Sequence, residues 1–355
     1  MIRVLIVDDS PTFRSILRRA MAHEDDIEVI GTASSGRQGL QLIKDQKPDV
    51  VTLDLQMPGK DGREVLKKLS EEISPKDRPK IILVSSLNRE SARATLEALF
   101  DGADDFISKP SEGGDLKGNM DKLRHDLIAR IHSLAKFSGV RERSAEVKTS
   151  PRPRTTSTLA SLSGRHRPDV LLIGSSTGGP QALTKILPQI CASIHLPILI
   201  VQHMPPMFTR SLAESLDRVC KHRVSEAVDG DAVRPNNIYL APGGFHMVVR
   251  KEGTKVILEL NEDPMEHHCR PAVDVFFRSA LDVYAPRALA MILTGMGSDG
   301  AAGLKGLRDA GVTTLAQSEA SSVVWGMPGS AVAVDAVDDV HDLEDIPQNV
   351  IRLCQ

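Results

Sequence analysis

Short apolar runs alternate with helical patterns through the first 137 residues, and this alternation restricts the chain to an α/β fold. Residues 3–7, 27–33, 50–53, 81–84 and 106–107 are predicted strands, and each is followed by a predicted helix. The first of these helices has Ser10 as its N-cap and Pro11 at its first position. Five βα units in succession predict a parallel, doubly wound sheet.

Polar side chains follow these strands at one end. They are Asp8, Asp9, Asp54, Ser85 and Lys109. The carboxyl ends of parallel strands share one edge of a sheet, so we expect these side chains to converge. Three crowded carboxylates favour a hard cation, and Mg²⁺ takes such oxygen ligands and brings phosphate with it. The alternative, that each aspartate only caps its following helix, explains one aspartate better than five matched positions.

The same positions lie in motifs that resemble the receiver domain of two-component response regulators. The motifs are Asp8-Asp9, Asp54-Leu55-Gln56-Met57-Pro58-Gly59, Ser85 and Lys109-Pro110. The resemblance implies a flavodoxin-like (βα)5 domain that a histidine kinase phosphorylates on Asp54. It implies a Mg²⁺ site formed by Asp8, Asp9, Asp54 and the Gln56 carbonyl, in which Asp8 acts mainly through water. It also implies that Ser85, Phe106 and Lys109 form a switch that responds to phosphorylation. Phe106 lacks a phenol hydroxyl, so its part in the switch would be by packing.

Composition excludes several classes of protein. A net charge of -3 gives no footprint for nucleic acid, and no apolar run is long enough for membrane insertion. Four scattered cysteines without a Cys-x-x-Cys pair favour free thiols in a reducing cytoplasm. His267-His268-Cys269 lacks a second group of ligands at zinc spacing, which favours a surface cluster.

A stretch rich in Arg, Lys, Ser, Thr and Pro separates two folded parts. Residues 138–168 show no apolar periodicity and predict a flexible linker. The predicted domains are therefore residues 1–137 and residues 169–355.

The second domain opens with a Gly-rich turn between a strand and a helix. Gly174-Ser-Ser-Thr-Gly-Gly-Pro180 follows the apolar residues 170–173 and precedes a helical pattern. Three interpretations compete: an N-capped turn, a phosphate-binding turn, and a nucleophile for acyl transfer with backbone N–H groups for an oxyanion. The spacing is not G-x-G-x-x-G, so the phosphate interpretation ranks low.

Two further polar residues follow buried strands of this domain. His203 comes after the strand of residues 196–201, and Asp299 after the strand of residues 288–293. Alone, His203 would be a structural histidine and Asp299 an N-cap for the next helix. With Ser176 at a third strand end, the three match a Ser-His-Asp relay.

Five motifs of this domain resemble the CheB family of chemotaxis protein-glutamate methylesterases. They are Ile173-Gly-Ser-Ser-Thr-Gly-Gly-Pro, Gln202-His-Met-Pro-Pro, Leu240-Ala-Pro-Gly-Gly, Arg270-Pro-Ala-Val-Asp and Leu293-Thr-Gly-Met-Gly-Ser-Asp-Gly-Ala. The resemblance implies a parallel-sheet domain in which Ser176, rather than Ser175, is the nucleophile. His203 would be the base, Asp299 its orienting group, and the N–H of Met296, together with that of His203, the oxyanion donor.

The resemblance also implies substrates and partners. The family hydrolyses glutamate γ-methyl esters on methyl-accepting chemoreceptors, releases methanol, deamidates some receptor glutamines, and needs no organic cofactor. The phosphodonor would be a chemotaxis histidine kinase, and the unphosphorylated receiver would cover the esterase edge. Two other hypotheses are a DNA-binding response regulator, disfavoured because no helix-turn-helix pattern is present, and a non-catalytic scaffold.

Overall fold

The computed structural model describes residues 1–57, 62–74, 77–110, 116–137 and 166–355. The chain divides into two compact units, Met1–Lys148 and Thr149–Gln355. Most of the predicted linker lies outside the described residues, so the limits given for the linker and both domains stay predictions.

The first unit alternates strands and helices. Its strands are β1 Ile2–Val7, β2 Ile27–Ala33, β3 Val50–Asp54, β4 Lys80–Ser85 and β5 Asp105–Ser108, and its helices are α1 Pro11–Met21, α2 Gly36–Gln46, α3 Gly62–Glu72, α4 Arg89–Phe100 and α5 Leu116–Phe137. All strand pairs are parallel, in the order β2-β1-β3-β4-β5. Helix α1 packs on α5, while α2 packs on α3 and α3 on α4. The predicted doubly wound sheet is confirmed.

Local capping fixes the start of α1. The Ser10 hydroxyl accepts a hydrogen bond from the Phe13 N–H at 3.2 Å, and Pro11 occupies the first turn. An N-cap hydroxyl satisfies an N–H that the first helical turn leaves without a partner. The predicted start of this helix is therefore confirmed.

The second unit is a larger α/β domain. Its strands are β6 Val170–Ser175, β7 Ile198–Gln202, β8 Arg223–Glu226, β9 Asn237–Leu240, β10 His246–Glu252, β11 Lys255–Asn261, β12 Ala288–Ile292, β13 Thr313–Gln317 and β14 Asp339–His341. Its helices are α6 Gly179–Cys191, α7 Phe208–Asp217, α8 Val273–Tyr284, α9 Ala301–Asp309, α10 Met327–Ala333 and α11 Ile346–Cys354.

Seven of these strands form one parallel sheet, in the order β14-β13-β12-β6-β7-β9-β8. Strands β10 and β11 pair separately as an antiparallel hairpin that packs on α8. Every residue of β6, β7, β12 and β13 is buried. Helices cover both faces of such a sheet, so its central strands are buried along their whole length rather than on alternate residues.

The strand order places the candidate site. In the sheet β7 lies on one side of β6, and β12 lies on the other side although it comes much later in the sequence. The carboxyl ends of β12, β6 and β7 are therefore neighbours, with the change of direction between β6 and β12. In open α/β sheets, ligands bind at such a change of direction. None of the helices among the described residues is both long and apolar enough to cross a membrane.

Candidate active site and phosphorylation site

The turn after β6 presents Ser176 at the sheet edge. Gly178 has φ 78° and precedes α6, and a Cβ at this position would lie 2.7 Å from Cβ of Val323. Glycine is needed here both for the left-handed backbone and for the close approach. No side chain caps the start of α6. The interpretation of this turn as a Ser or Thr N-cap is therefore wrong.

The two serines of the turn have different environments. Ser175 is fully buried, and its hydroxyl donates to Oε1 of Gln202 at 2.7 Å. The amide of Gln202 in turn donates to the carbonyl oxygens of Ser176 at 2.9 Å and His203 at 3.2 Å. Gln202 thus holds the ends of β6 and β7 together. Ser176 is partly exposed, and of the two hydroxyls it is the one that a substrate can reach.

The structure joins His203 directly to Asp299. Nε2 of His203 lies 2.7 Å from Oδ2 of Asp299, and the two side chains are 11% and 2% exposed. Because a carboxylate only accepts, Nε2 carries a proton and donates it. Nδ1 is then the ring atom that remains for proton transfer. Within the described ranges no hydrogen bond joins the Ser176 hydroxyl to this ring.

Asp299 lies at the start of α8 rather than capping α9. Its carboxylate accepts from the N–H groups of Val273 at 2.7 Å and Asp274 at 2.8 Å. The predicted alternative, an N-cap for α9, is wrong, because Gly300 holds that position without a side-chain bond. The N-terminus of a helix favours negative charge, so α8 stabilises the carboxylate that orients His203.

These contacts shift two pKa values in opposite directions. Burial of the His203 ring disfavours its charged form, but its contacts with Cys269 and with the carboxylate of Asp299 outweigh burial and raise the pKa of His203 to about 10. Burial would raise the pKa of Asp299, yet the bonds from His203, Asp274 and Val273 hold it below its usual value. The resting pair is therefore an imidazolium and a carboxylate at neutral pH.

A second histidine lies on the other side of Asp299. His267 Nε2 is 2.9 Å from Oδ2 of Asp274 and 4.0 Å from Oδ1 of Asp299. Asp274 is 1% exposed, and its other oxygen accepts from the Gly303 N–H at 2.6 Å. The predicted surface cluster is confirmed, because His267 and His268 are both exposed, and His267 in addition contacts two buried carboxylates.

Two backbone N–H groups were predicted as oxyanion donors. Among the described hydrogen bonds none engages the N–H of Met296, and this residue is partly exposed beside β12. The N–H of His203 donates to the carbonyl of Ser175 at 3.1 Å, so the prediction that it holds an oxyanion is wrong. Gly295 brings the Met296 loop close to the nucleophile turn, because a Cβ on Gly295 would lie 2.9 Å from Cβ of Ser176.

The acidic residues of the first unit converge as the sequence predicts. One carboxylate oxygen each of Asp8, Asp9 and Asp54 lies within 4.8 Å of the others. Nζ of Lys109 is 2.7 Å from Asp54 and 3.2 Å from Asp8. Burial and the charge of Asp54 raise the pKa of Asp8, and Lys109 offsets them only in part. This crowding of two buried carboxylates with the more exposed Asp9 fits a divalent cation.

The remaining switch residues lie beside this cluster. Ser85 ends β4 and is 5% exposed, and its carbonyl accepts from the N–H of Lys109 at 2.7 Å. Its hydroxyl is 2.7 Å from that of Thr95 on α4, and Thr95 is also 2.7 Å from the Ser91 carbonyl. The Thr95 hydroxyl lies within donating distance of both acceptors, the Ser85 hydroxyl and the Ser91 carbonyl, while the Ser85 hydroxyl itself donates to the carbonyl of Ser86 at 3.4 Å. Phe106 is buried at 7% exposure, which suits a role by packing.

Comparison with known proteins assigns each unit to a domain family. Residues 4–121 match the response regulator receiver domain, and residues 171–350 match the CheB methylesterase domain. The chain is 40% identical over 352 residues to a protein-glutamate methylesterase/protein-glutamine glutaminase of Trichodesmium erythraeum, across 99% of this chain and 98% of that protein. Against the protein of the same name from Symbiobacterium thermophilum it is 42% identical over 361 residues, across 99% and 96%.

A solved structure extends the comparison to the fold. The second unit is similar to the crystal structure of the Thermotoga maritima CheB methylesterase catalytic domain, with 40% identity and a TM-score of 0.51, across 52% of this chain and 98% of that one. Fold and matches together define a response regulator with an esterase output domain. The chain belongs to the CheB methylesterase family.

Proposed function

We propose that this protein is a phosphorylation-activated esterase that hydrolyses glutamate γ-methyl esters on methyl-accepting chemoreceptors, and that it also deamidates receptor glutamines in chemotactic adaptation. One observation carries the proposal. A reachable Ser176 hydroxyl follows β6, while the buried His203–Asp299 pair follows its two neighbours in the sheet. Relatives named for both activities support it.

The chemistry begins with deprotonation of Ser176. His203 must first lose its own extra proton, and Nδ1 then takes the hydroxyl proton as the oxygen attacks the ester carbonyl. Asp299 holds Nε2–H and stabilises the imidazolium that forms. The N–H of Met296 donates to the oxyanion, methanol leaves with the proton from His203, and water resolves the acyl-enzyme by the same steps.

Regulation begins at Asp54 of the first unit. We assign phosphorylation by a chemotaxis histidine kinase to this carboxylate, with Lys109 pairing the phosphoryl group and Ser85 donating to it. Asp8, Asp9 and Asp54 would hold Mg²⁺, which neutralises charge during phosphoryl transfer when it is bound.

Activation by a small phosphodonor tests the whole proposal. A methylated chemoreceptor cytoplasmic fragment is incubated with the full chain, with and without acetyl phosphate, and methanol is measured. The wild type should release more methanol with the phosphodonor, whereas the Asp54→Asn variant should show basal release only. Full activation of Asp54→Asn would contradict regulation at Asp54, while absence of release from every variant would contradict the esterase.

A further inference from the structure

Helices α8 and α9 begin side by side, and an aspartate near the start of each helix bonds to the first turn of the other. Asp299, just before α9, accepts from the N–H groups of Val273 and Asp274 in α8, at 2.7 and 2.8 Å. Asp274 in turn accepts from the N–H of Gly303 in α9, at 2.6 Å. N–H groups of a first helical turn have no partner within their own helix. The two aspartates therefore fix the starts of α8 and α9 to each other.

Each of these aspartates also contacts a histidine. Oδ2 of Asp299 accepts from Nε2 of His203 at 2.7 Å, and Oδ2 of Asp274 lies 2.9 Å from Nε2 of His267. Asp274 and Asp299 are 1% and 2% exposed, so both carboxylates depend on these protein partners rather than on water. A shift of α9 relative to α8 would strain the bonds of Asp299, including the bond to His203.

A glycine makes the close approach of the two helices possible. A Cβ on the buried Gly303 would lie 2.7 Å from Cβ of Phe277 and 3.1 Å from Oδ1 of Asp274. Phe277 is fully buried and its Cβ moves only with α8, so α9 would have to shift. Gly306 lies one turn later in α9, and a Cβ there would meet only Cδ2 of Leu281, at 4.0 Å. Neither glycine has a positive φ, so alanine at the two positions differs mainly in this steric contact.

We propose that Asp274 and Gly303 are positioning residues, whose contact holds the start of α9 against α8 and thereby keeps Asp299 at hydrogen-bond distance from His203. The effect on reaction rate rests on the proposed esterase function, whereas the effect on His203 itself does not. Neither positioning residue touches the reacting atoms. A shift of α9 would lengthen the bond between Asp299 and His203, and a base whose partner holds it less well is poorly oriented and less stable in its charged form.

The other charged groups around this pair stay the same when only a glycine is changed. They lie on α8 and on the loop before it, and they are Asp274, Arg278, Glu266, His267 and Cys269. A change in the pKa of His203 caused by a glycine substitution therefore reports the geometry of the Asp299 contact rather than the loss of a charge.

The test compares two alanine variants of the full chain. In Gly303→Ala, kcat for methanol release from a methylated chemoreceptor fragment should fall by roughly 10–100-fold with little change in KM. The pKa of His203, measured by NMR on histidine-labelled protein, should fall by roughly 0.5–1 unit in this variant. Gly306→Ala is the matched control and should keep both the wild-type kcat and the wild-type pKa. A His203→Gln variant assigns the NMR signal, and thermal unfolding checks that each variant is folded.

The NMR measurement needs no substrate, so it separates this inference from the proposed function. Absence of methanol release by the wild type would contradict the esterase, while the pKa of His203 would still test the positioning. The same pKa of His203 in folded Gly303→Ala and Gly306→Ala, or the same kcat, would overturn the proposal.

Two substitutions of Asp274 test the same contact without changing α9. Asparagine retains an oxygen for the Gly303 N–H, and its NH₂ group can donate to Nε2 of His267 in the other neutral tautomer, whereas alanine retains no acceptor. In Asp274→Ala, kcat should fall by roughly 10–100-fold, and Asp274→Asn should recover most of that loss. Equal kcat in the two folded variants would overturn the role of Asp274 as a positioning residue.

Discussion

Oδ2 of Asp299 accepts a hydrogen bond from Nε2 of His203 at 2.7 Å and another from the N–H of Val273 at the start of α8, also at 2.7 Å. The carboxylate that orients the candidate base is therefore itself oriented by a helix. This dual role makes Asp299 sensitive to changes that remove its charge but retain its shape.

The first prediction concerns the Asp299→Asn variant. Both oxygens of Asp299 accept hydrogen bonds, from His203 on one side and from backbone N–H groups on the other. In asparagine one of these oxygens becomes an NH₂ group, which is a donor and would face another donor. We expect kcat for ester hydrolysis to fall by about 10³–10⁴-fold, as the wrong tautomer of the base is favoured. The free energy of unfolding should fall by about 1–3 kcal/mol. Steady-state methanol release and denaturant unfolding measure the two effects, and a loss of less than tenfold in kcat would contradict the role given to Asp299.

The second prediction concerns pH. Because the pKa of His203 is raised to about 10, most of the resting enzyme has a charged ring at neutral pH and cannot accept a proton. We expect kcat/KM to rise with pH on the alkaline side of the pH profile. The rate measured with the Ser176→Ala variant is subtracted to correct for spontaneous hydrolysis. The Cys269→Ser variant removes a group that favours the charged ring, so its rise should move to lower pH. A rise that stays in place would show that Cys269 does not act on His203.

The raised pKa of His203 also makes the stability of the fold depend on pH. The folded pKa of His203 lies above its ordinary value of 6.5, so its pairing stabilises the fold fully below that pH and is lost as pH rises through about 10. The destabilisation caused by His203→Gln should therefore be larger at neutral pH than at pH 10. Chemical unfolding at the two pH values measures the difference.

Most strands of the two parallel sheets are predictable from sequence, because buried parallel strands appear as short apolar runs. Strands β2 and β6 lie where the runs place them. Strand β14 has three residues and no apolar run, and it was not predicted. The sequence around α10 includes two glycines and a proline, which are typical of loops, so this helix of seven residues is not predicted.

The candidate site was predictable only in part. Strand ends identify Ser176, His203 and Asp299, because side chains at one sheet edge converge. Sequence alone does not reveal that Ser175 is buried against Gln202, since both residues are polar and the contact spans 27 positions. The hydrogen bonds from α8 to Asp299 also join distant segments of the chain. The motif Arg270-Pro-Ala-Val-Asp points to this region of the sequence but does not by itself indicate that it supports Asp299.

The third prediction concerns Mg²⁺ at the first unit. Burial and the charge of Asp54 raise the folded pKa of Asp8, so ionisation of this carboxylate costs stability as pH rises above the ordinary value of 3.8. Mg²⁺ should relieve this cost and raise the free energy of unfolding at neutral pH, by about 2.7 kcal/mol when its concentration is 100 times Kd.

Two variants separate this effect from general screening. Asp8→Asn removes a carboxylate from the cluster and should weaken the stabilisation by Mg²⁺. Asp45→Asn changes an exposed carboxylate that bonds to Gln41, and it should respond to Mg²⁺ as the wild type does. Calorimetry with and without the ion measures both, and equal responses in the two variants would rule out the assigned ligands.

The fourth prediction concerns Thr95. To donate to a phosphoryl group on Asp54, the Ser85 hydroxyl must turn away from the Ser86 carbonyl and give up the hydrogen bond that it accepts from Thr95. Thr95→Val removes that bond, worth about 0.5–1.5 kcal/mol, so half-activation should need roughly 2–10-fold less acetyl phosphate. Thr95→Ser retains the hydroxyl and serves as the control. An unchanged or higher phosphodonor requirement in Thr95→Val would contradict the coupling of Ser85 to α4.

Methanol release by the Ser176→Ala and Ser175→Ala variants tests the central claim most directly. With the phosphodonor and a methylated chemoreceptor fragment, the rate of methanol release by Ser176→Ala should fall to the rate measured without enzyme. Ser175→Ala loses only a buried bond to Gln202 and should retain activity within roughly tenfold of the wild type. Wild-type release by Ser176→Ala, or loss confined to Ser175→Ala, would contradict Ser176 as the nucleophile.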